Sequence, residues 1–399
     1  MNILFLFVSL PNLSNDTALF TSLIHEFKNH GHNVLVSSRD NDNKSSSEVI
    51  IENGIRVLRV KSHPFTRVSN PIKKALAYQE YSLKQRYLVK KYFGNEKIDL
   101  IISHSLPPEL AWIAGGLKKY FKCPFFLIQS DYTWQDAVAF GYFGKNNLVC
   151  KYYRFWEDML MKRADFIGCP TKGNVDFILK HYPNTDKLKF IVIPFWQRLN
   201  ADVTIKDAKN NDPLLKDKFV VVYGGSIGVA QRVERMVELA DVTKDVKDIV
   251  YLILGKGAYL SVIQRKVEDL GLKNVIFKEF LPQGEYLSLL SSCDVGMIIL
   301  HEKTGMPNFP SKTMGYLNMK VPILAALDYV TDFGSYLEDN HAGLWAHSDD
   351  IPALREKLLK YYNDKQFWND TRENGYKLFK NELQPSNAYA KIINAVNNR

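Results

Sequence analysis

Two successive series of short apolar runs, separated by helical patterns, constrain the fold of this chain more than any other feature. The first series contains "NILFLFV", "NVLVSS", "IDLIISHS" (98–105), "CPFFLIQSD" (123–131) and "ADFIGCPT" (164–171). Between its first two runs, "DTALFTSLIHEFKNHGH" places Leu19, Leu23 and Phe27 at helical spacing and ends near Gly31. The second series runs through "LLKDKFVVVYGG" (214–225), "IVYLILG", "NVIFKEFLP", "CDVGMIIL" and "VPILAA". Its helical patterns include "VAQRVERMVELADVTK" and "YLSVIQRKVEDLGL". Strands alternating with helices imply a parallel sheet covered on both faces. A chain of 399 residues exceeds what one core usually holds. The expected class is therefore α/β, with two doubly wound Rossmann-like domains joined by the polar stretch 197–213. Ligands of such sheets bind beyond the carboxyl ends of the strands, so two facing domains would define a cleft there.

Charge narrows the choice of partner. Residues 1–200 carry 27 Lys+Arg and 17 Asp+Glu, a balance of +10, and residues 201–399 carry 25 and 26, a balance of −1. The asymmetry points to a basic surface for an anionic partner. No recognition helix, zinc finger or RNA-binding signature accompanies it, so nucleic acid is not expected. Cys123, Cys150, Cys169 and Cys293 lack metal-ligand or redox spacing and fit a reduced, cytoplasmic compartment. The start "MNILFLFVSLPNLS" has no basic residue before its apolar run and reads as a buried strand. No window reaches the ~18 apolar residues of a membrane span.

Several strand ends carry candidate chemistry. "YGGSIG" (223–228) reads as a strand-to-helix turn whose glycines admit a phosphate; a plain tight turn is the alternative. "GKG" (255–257) repeats the type and adds Lys256. In "NFPSKTMGYL", Ser311 is placed to cap a helix starting near Lys312, whose charge would join the free N–H groups. Gly315, inside that helix, costs roughly 1 kcal/mol against alanine, so close packing of a ligand or backbone there is one explanation and a helix flaw another. His104 stands at a strand end, and Asp131, at the next, accepts a proton or caps a helix. His301 and Glu302 end "CDVGMIIL" and are placed to face a sugar. The segment 73–93 has Lys73, Lys74, Lys84, Arg86, Lys90 and Lys91 against one acid, Glu80, interspersed with Tyr78, Tyr81, Tyr87, Tyr92 and Phe93. It reads as a basic aromatic helix for a membrane surface, or as a solvated helix face.

Three stretches together resemble the retaining glycosyltransferases of family 4, with the GT-B architecture, and within them the bacterial branch that assembles capsule and O-antigen. "HEFKNHGHNVLV" is similar to the family's first helix and second strand. "SDYTWQDAVAFG", with Asp131 and Trp134, resembles an Asp-Leu-Trp-Pro stretch. "FPSKTMGYLNMKVPILAA" resembles its Pro-Ser-Lys segment. The resemblance implies an acceptor domain over 1–200, with a last helix at about 380–399 packing back on it, and a nucleotide-sugar donor domain over 201–379. Its donor-binding set would be Gly225, Ser226, Arg232, Lys256, Leu281, Phe309, Pro310, Ser311, Lys312 and Gly315. His104, Asp131 and Glu302 would be catalytic, and Lys84, Arg86, Lys90 and Lys91 would face the membrane and acceptor.

The family's paired glutamates are absent: Pro307 and Gly315 stand in their register, and Glu302 lies out of it. The usual Arg and Lys for the diphosphate fall near Ser226 and Gln231, beside Arg232, and "LSNDT" (13–17) replaces a Gly-Gly turn. Lys312, Lys256 and Arg232 are left as the cations for a diphosphate. The implied activity is hexosyl or N-acetylhexosaminyl transfer from a nucleoside diphosphate sugar, a UDP-sugar, with no cofactor and no metal. The acceptor would be polyprenyl-diphosphate-linked or another glycan, reached from the cytoplasmic face of an anionic membrane. A UDP-sugar epimerase on the same fold and a catalytically degenerate scaffold are the alternatives.

Overall fold

The computed structural model describes residues 1–15, 17–40, 46–62, 70–132, 134–198 and 209–398, save for the side chains of 71, 72 and 283. Most of the expected linker, 199–208, and Asp16 of "LSNDT" lie outside the described residues. The chain forms two compact units, Met1–Arg198 with Pro385–Arg399, and Leu199–Gln384.

The first unit contains, in order, β1 (Asn2–Leu6), α1 (Leu19–Asn29), β2 (Asn33–Arg39), β3 (Glu48–Glu52), β4 (Ile55–Val60), α2 (Pro71–Phe93), β5 (Leu100–His104), α3 (Leu110–Phe121), β6 (Phe125–Ile128), α4 (Gln135–Ala139), α5 (Leu148–Arg163), β7 (Phe166–Cys169), α6 (Lys172–His181) and β8 (Phe190–Val192). The eight strands order as β3-β4-β2-β1-β5-β6-β7-β8. All pairs are parallel except β3 on β4, where Glu52 lies opposite Ile55. This hairpin is short and its turn, Asn53-Gly54, has positive φ at both residues. The strands between are buried on both faces, as helices on either side of a parallel sheet require.

The second unit contains β9 (Phe219–Ser226), α7 (Glu234–Val242), β10 (Ile249–Lys256), α8 (Leu260–Asp269), β11 (Val275–Lys278), α9 (Gln283–Ser291), β12 (Val295–Ile299), α10 (Lys312–Asn318), β13 (Ile323–Leu327), α11 (Phe333–Asp339), β14 (Gly343–His347), α12 (Ile351–Asn363) and α13 (Lys365–Glu382). Its six strands are all parallel, ordered β11-β10-β9-β12-β13-β14. The last helix, α14 (Pro385–Asn397), belongs to the first unit. There Ala388 and Ile392 join the core, and Tyr389 meets Phe27 edge-on at 4.9 Å.

In each sheet the strand order reverses once, between β1 and β5 and between β9 and β12. At such a reversal the flanking loops diverge and leave a crevice beyond the strand ends. The four cysteines are free and buried. Among the described residues no helix is long and apolar enough to cross a membrane.

Helix α2 is anchored rather than laid on the surface. Tyr81 donates to the carbonyl of Phe7 at 3.1 Å, and the amide of Gln85 donates to Phe7 and Ser37 carbonyls at the ends of β1 and β2. Tyr81 and Phe93 are therefore core residues, which corrects their expected place on a membrane face. Leu76, Leu83, Tyr87 and Tyr92 remain exposed on the outer side. Three of its basic residues lie over aromatic rings. Arg86 lies over the Trp112 ring at 5.9 Å, Lys90 over Tyr120 at 4.5 Å, and Lys91 over Tyr92 at 5.3 Å.

Candidate functional site

The second unit gathers one cluster at its strand reversal. "YGGSIG" is not the turn expected: β9 runs through both glycines to Ser226, and α7 starts only at Glu234. Lys256 likewise belongs to β10, where Gly255 pairs with Gly225 and Lys256 with Ser226. A Cβ on Gly255 would fall 1.9 Å from the Gly225 carbonyl oxygen, at a φ of 156°. Close approach of two backbones thus explains the glycine of "GKG". Lys256 itself is exposed and lies over Phe280, and Leu281 is half-buried beyond β11.

Lys312 opens α10 and crosses back to β9. A Cβ on Gly225 would meet its Cε at 3.0 Å, and its ammonium sits 4.7 Å from the Tyr223 ring centre. No ion pair reaches it among the described residues. Desolvation by burial pulls its pKa down to about 8. A half-buried cation held over the Tyr223 ring, without a counter-charge among the described residues, is prepared for an anion.

Tyr316 holds α10 in this position, and the sequence reading passed over it. Its hydroxyl donates to the Met297 carbonyl at 3.1 Å, and its ring fills the space that Gly296 leaves vacant. Ser311 stands at the N-cap position but its side chain makes no capping hydrogen bond, which corrects that expectation. Phe309 is buried against Phe333 and Tyr336, each at 5.3 Å, and so packs the segment. Pro310 is half-buried beside it.

Gly315 is not crowded: nothing lies within 4 Å of a Cβ placed there. Protein packing therefore does not demand glycine. Gly315→Ala is expected to raise stability by about 0.5–1 kcal/mol, the helix propensity difference, measured by urea unfolding. A loss of stability would show that the open space is not available in solution.

Arg232 was expected as a diphosphate cation. It sits at a left-handed φ of 46° and is already paired, 3.4 Å from Glu302 and 3.7 Å from Glu234. Arg235, which the sequence reading missed, also reaches Glu302 at 3.4 Å and bonds Glu238 at 2.6 Å. Burial opposes ionisation of Glu302, but the hydrogen bond from its own backbone N–H, together with Arg232, His301 and Arg235, outweighs it and holds its pKa below the usual carboxylate value. Glu302 is thus an ionised acceptor facing two guanidinium groups. No sequence signal marks the pairing, because it joins the end of β12 to the start of α7.

The first unit gathers the other cluster, at the ends of β5 and β6. The N–H of Leu106 approaches His104 Nδ1 at 3.4 Å, making that nitrogen an acceptor and leaving the proton on Nε2. Nε2 then donates to Ser130 Oγ at 2.5 Å, and that hydroxyl donates to Asp131 Oδ2 at 2.9 Å. Asp131 caps no helix, since α4 starts only at Gln135, so the capping alternative is dropped. Burial raises its pKa, but the His104 and Ser130 contacts prevail and lower it overall. A carboxylate so stabilised is a poor base and a good hydrogen-bond acceptor for a hydroxyl.

Among the described residues, no three His, Cys, Asp or Glu side chains converge as metal ligands. His104 and Asp131 are brought together; Lys312 and Gly225 are brought together; Lys256 pairs with Ser226 beside them, its side chain over Phe280, and Leu281 lies beyond β11, two strands from β9.

Residues 205–378, less than half of the chain, match the family described as glycosyl transferases group 1. One relative is the Escherichia coli K12 protein described as a colanic acid biosynthesis glycosyl transferase, WcaI, 23% identical over 153 residues. That match takes in 37% of this chain and 37% of the relative, so the chain spans little more than a third of the relative's length. In fold, the chain is similar to sucrose-phosphate synthase of Thermosynechococcus elongatus, with a TM-score of 0.74 and 16% identity over 100% of this chain and 99% of the other. It is also similar to HepE of Anabaena, solved with UDP and glucose, with a TM-score of 0.71 and 14% identity over 100% of both chains.

Proposed function

We propose that this chain is a glycosyltransferase of the GT-B type that moves a sugar from a UDP-sugar to a lipid-linked acceptor in cell-surface polysaccharide assembly. The observation that carries the donor side is Lys312, a half-buried cation with no ion-pair partner among the described residues, set against Gly225 at the strand reversal of the second unit. It lies inside the stretch that matches group 1 glycosyl transferases. A diphosphate there receives a charge-assisted contact from Lys312 beside the backbone of Gly225. Solution of HepE with UDP and glucose supports the same ligand class.

Glu302 and Asp131 serve as ionised acceptors for sugar hydroxyls in this scheme. Arg232 and Arg235 keep Glu302 ionised and pointed, and His104 with Ser130 does so for Asp131. Retention of anomeric configuration, family 4 membership and a capsule or O-antigen product rest on the sequence resemblance. The acceptor, carried on a polyprenyl diphosphate, would be met at the cytoplasmic face of the membrane. The outer side of α2, with Leu83, Tyr87 and the cations Lys84 and Lys91, supplies a surface for it.

Thermal unfolding with a panel of nucleotides is the direct test. UDP at 100 times its dissociation constant should stabilise the protein by ~2.7 kcal/mol, whereas uridine should do so only at far higher concentration. No shift with any nucleoside diphosphate would remove the proposal. Turnover of UDP-sugar without an acceptor and with inversion at a sugar carbon would favour an epimerase, and binding without turnover a scaffold.

A further inference from the structure

Outside both clusters, the first unit has a groove of about 360 Å³ between α5 and the end of α6. Lys151, Arg154, Phe155, Lys162, His181 and Tyr182 contribute to its walls. Its one carboxylate, Asp158, is taken up by Lys162 at 2.6 Å. Lys151 and Arg154 have no carboxylate partner among the described residues. His181 bonds the Phe177 carbonyl through Nδ1 at 2.9 Å.

The groove is built on a rigid floor. Tyr182 and Trp134 both donate to the buried Glu157, Trp134 at 3.1 Å. The Arg154 guanidinium lies over the Trp134 ring at 5.0 Å, so its position is set before any ligand arrives. Trp134 belongs to "SDYTW", whose Asp131 reaches His104; the same segment therefore serves both places.

Two exposed rings, Phe155 of the groove and Trp112 of α3, are joined through the buried Trp156. Phe155, 54% exposed, packs edge-on against Trp156 at 5.3 Å, and Trp156 meets Trp112 of α3 at 6.4 Å. Trp112 is itself exposed and lies under Arg86 of α2. Cations lining a groove at the edge of exposed aromatic rings complement a phosphate whose ester carries acyl chains.

Resting on the membrane reading above, we propose that this groove binds the phosphate of an anionic membrane phospholipid, with Phe155 entering the acyl boundary. The protein would then be held on the leaflet by α5 and α6 as well as by α2.

The test is sedimentation with vesicles of equal parts phosphatidylcholine and phosphatidylglycerol. Lys151→Glu with Arg154→Gln should lower the partition coefficient about 25-fold, since each basic residue near an anionic surface accounts for roughly a factor of five. Lys151→Glu alone, at an exposed residue, should lower it at least about fivefold, which keeps the test valid if Arg154→Gln disturbs Trp134. Unchanged partition of both variants would overturn the proposal. Displacement of the protein from vesicles by inorganic phosphate would assign the groove to a soluble phosphate ester and overturn the lipid assignment. So would loss of heparin binding by the variants with vesicle partition intact, which would point to an acidic glycan. UDP-induced thermal stabilisation of the variants should equal that of the wild type. Its absence from the wild type would count against the donor reading alone.

Discussion

Lys312→Ala is expected to weaken nucleoside diphosphate binding about 10- to 150-fold, the equivalent of a lost charge-assisted contact of about 1.5–3 kcal/mol. Affinity for the uncharged nucleoside should stay within about twofold, because the lysine meets no neutral part of the ligand in this scheme. Isothermal titration with UDP and uridine separates the two. Equal affinity of wild type and variant for UDP would place the diphosphate elsewhere. The same residue makes a pH prediction. Desolvation lowers the free-protein pKa to about 8, so the cation is complete below that pH and is lost above it. UDP affinity should therefore hold up to about pH 8 and decline beyond, with proton uptake on binding, because the anion favours the charged form. Stability of the free protein moves the other way. The unfolded chain keeps its proton until about pH 10.4, so between about 8 and 10.4 it binds more protons than the folded chain, and stability rises. Lys312→Arg stays charged throughout and should abolish the decline in affinity.

Arg59→Met is expected to destabilise the protein by about 3–5 kcal/mol, as removal of one partner from a buried ion pair does. Arg59 donates to both oxygens of Glu52, at 2.8 and 2.7 Å, and to the carbonyls of Leu10 and Pro11 at 3.0 and 3.1 Å. Glu52 also accepts from the N–H of Leu13 at 2.8 Å. Both side chains are nearly inaccessible. The pair therefore ties the hairpin β3–β4 to the loop after β1. Without Arg59 the carboxylate is left desolvated with one donor. Replacing both, as Glu52→Met with Arg59→Met, should recover part of the loss, since no buried charge remains. Urea unfolding of the three variants measures this. A cost under about 1 kcal/mol for Arg59→Met, the size seen at exposed pairs, would mean that water reaches the pair in solution.

Glycines show where reading a sequence reaches its limit. "YGGSIG" and "GKG" carry the composition of phosphate loops, and Gly225 does lie beside Lys312. Gly255, however, is there because two strands pass within contact of each other. Composition cannot tell a ligand's approach from a neighbouring strand's approach, since both ask for the same missing Cβ. The same ambiguity affects the aromatic residues of α2. Helical spacing separates an inner from an outer face, yet which tyrosines face inward depends on what Phe7 and Ser37 offer across the chain.

The alternation of apolar runs and helical patterns determined by itself that the chain forms two doubly wound α/β units, because main-chain hydrogen bonding and burial on both sheet faces leave few other solutions. The ends of those strands, and hence His104, Asp131, Gly225, Glu302 and Lys312, follow from the same local patterns. Tertiary structure alone decided their partners. The carboxylate of Glu302 meets guanidinium groups from another loop, and His104 reaches Asp131 through Ser130. Spacing along a chain reports which face of an element a side chain occupies. Pairing across elements depends on strand order and on where a charge can be desolvated with compensation, and both are properties of the assembled sheet.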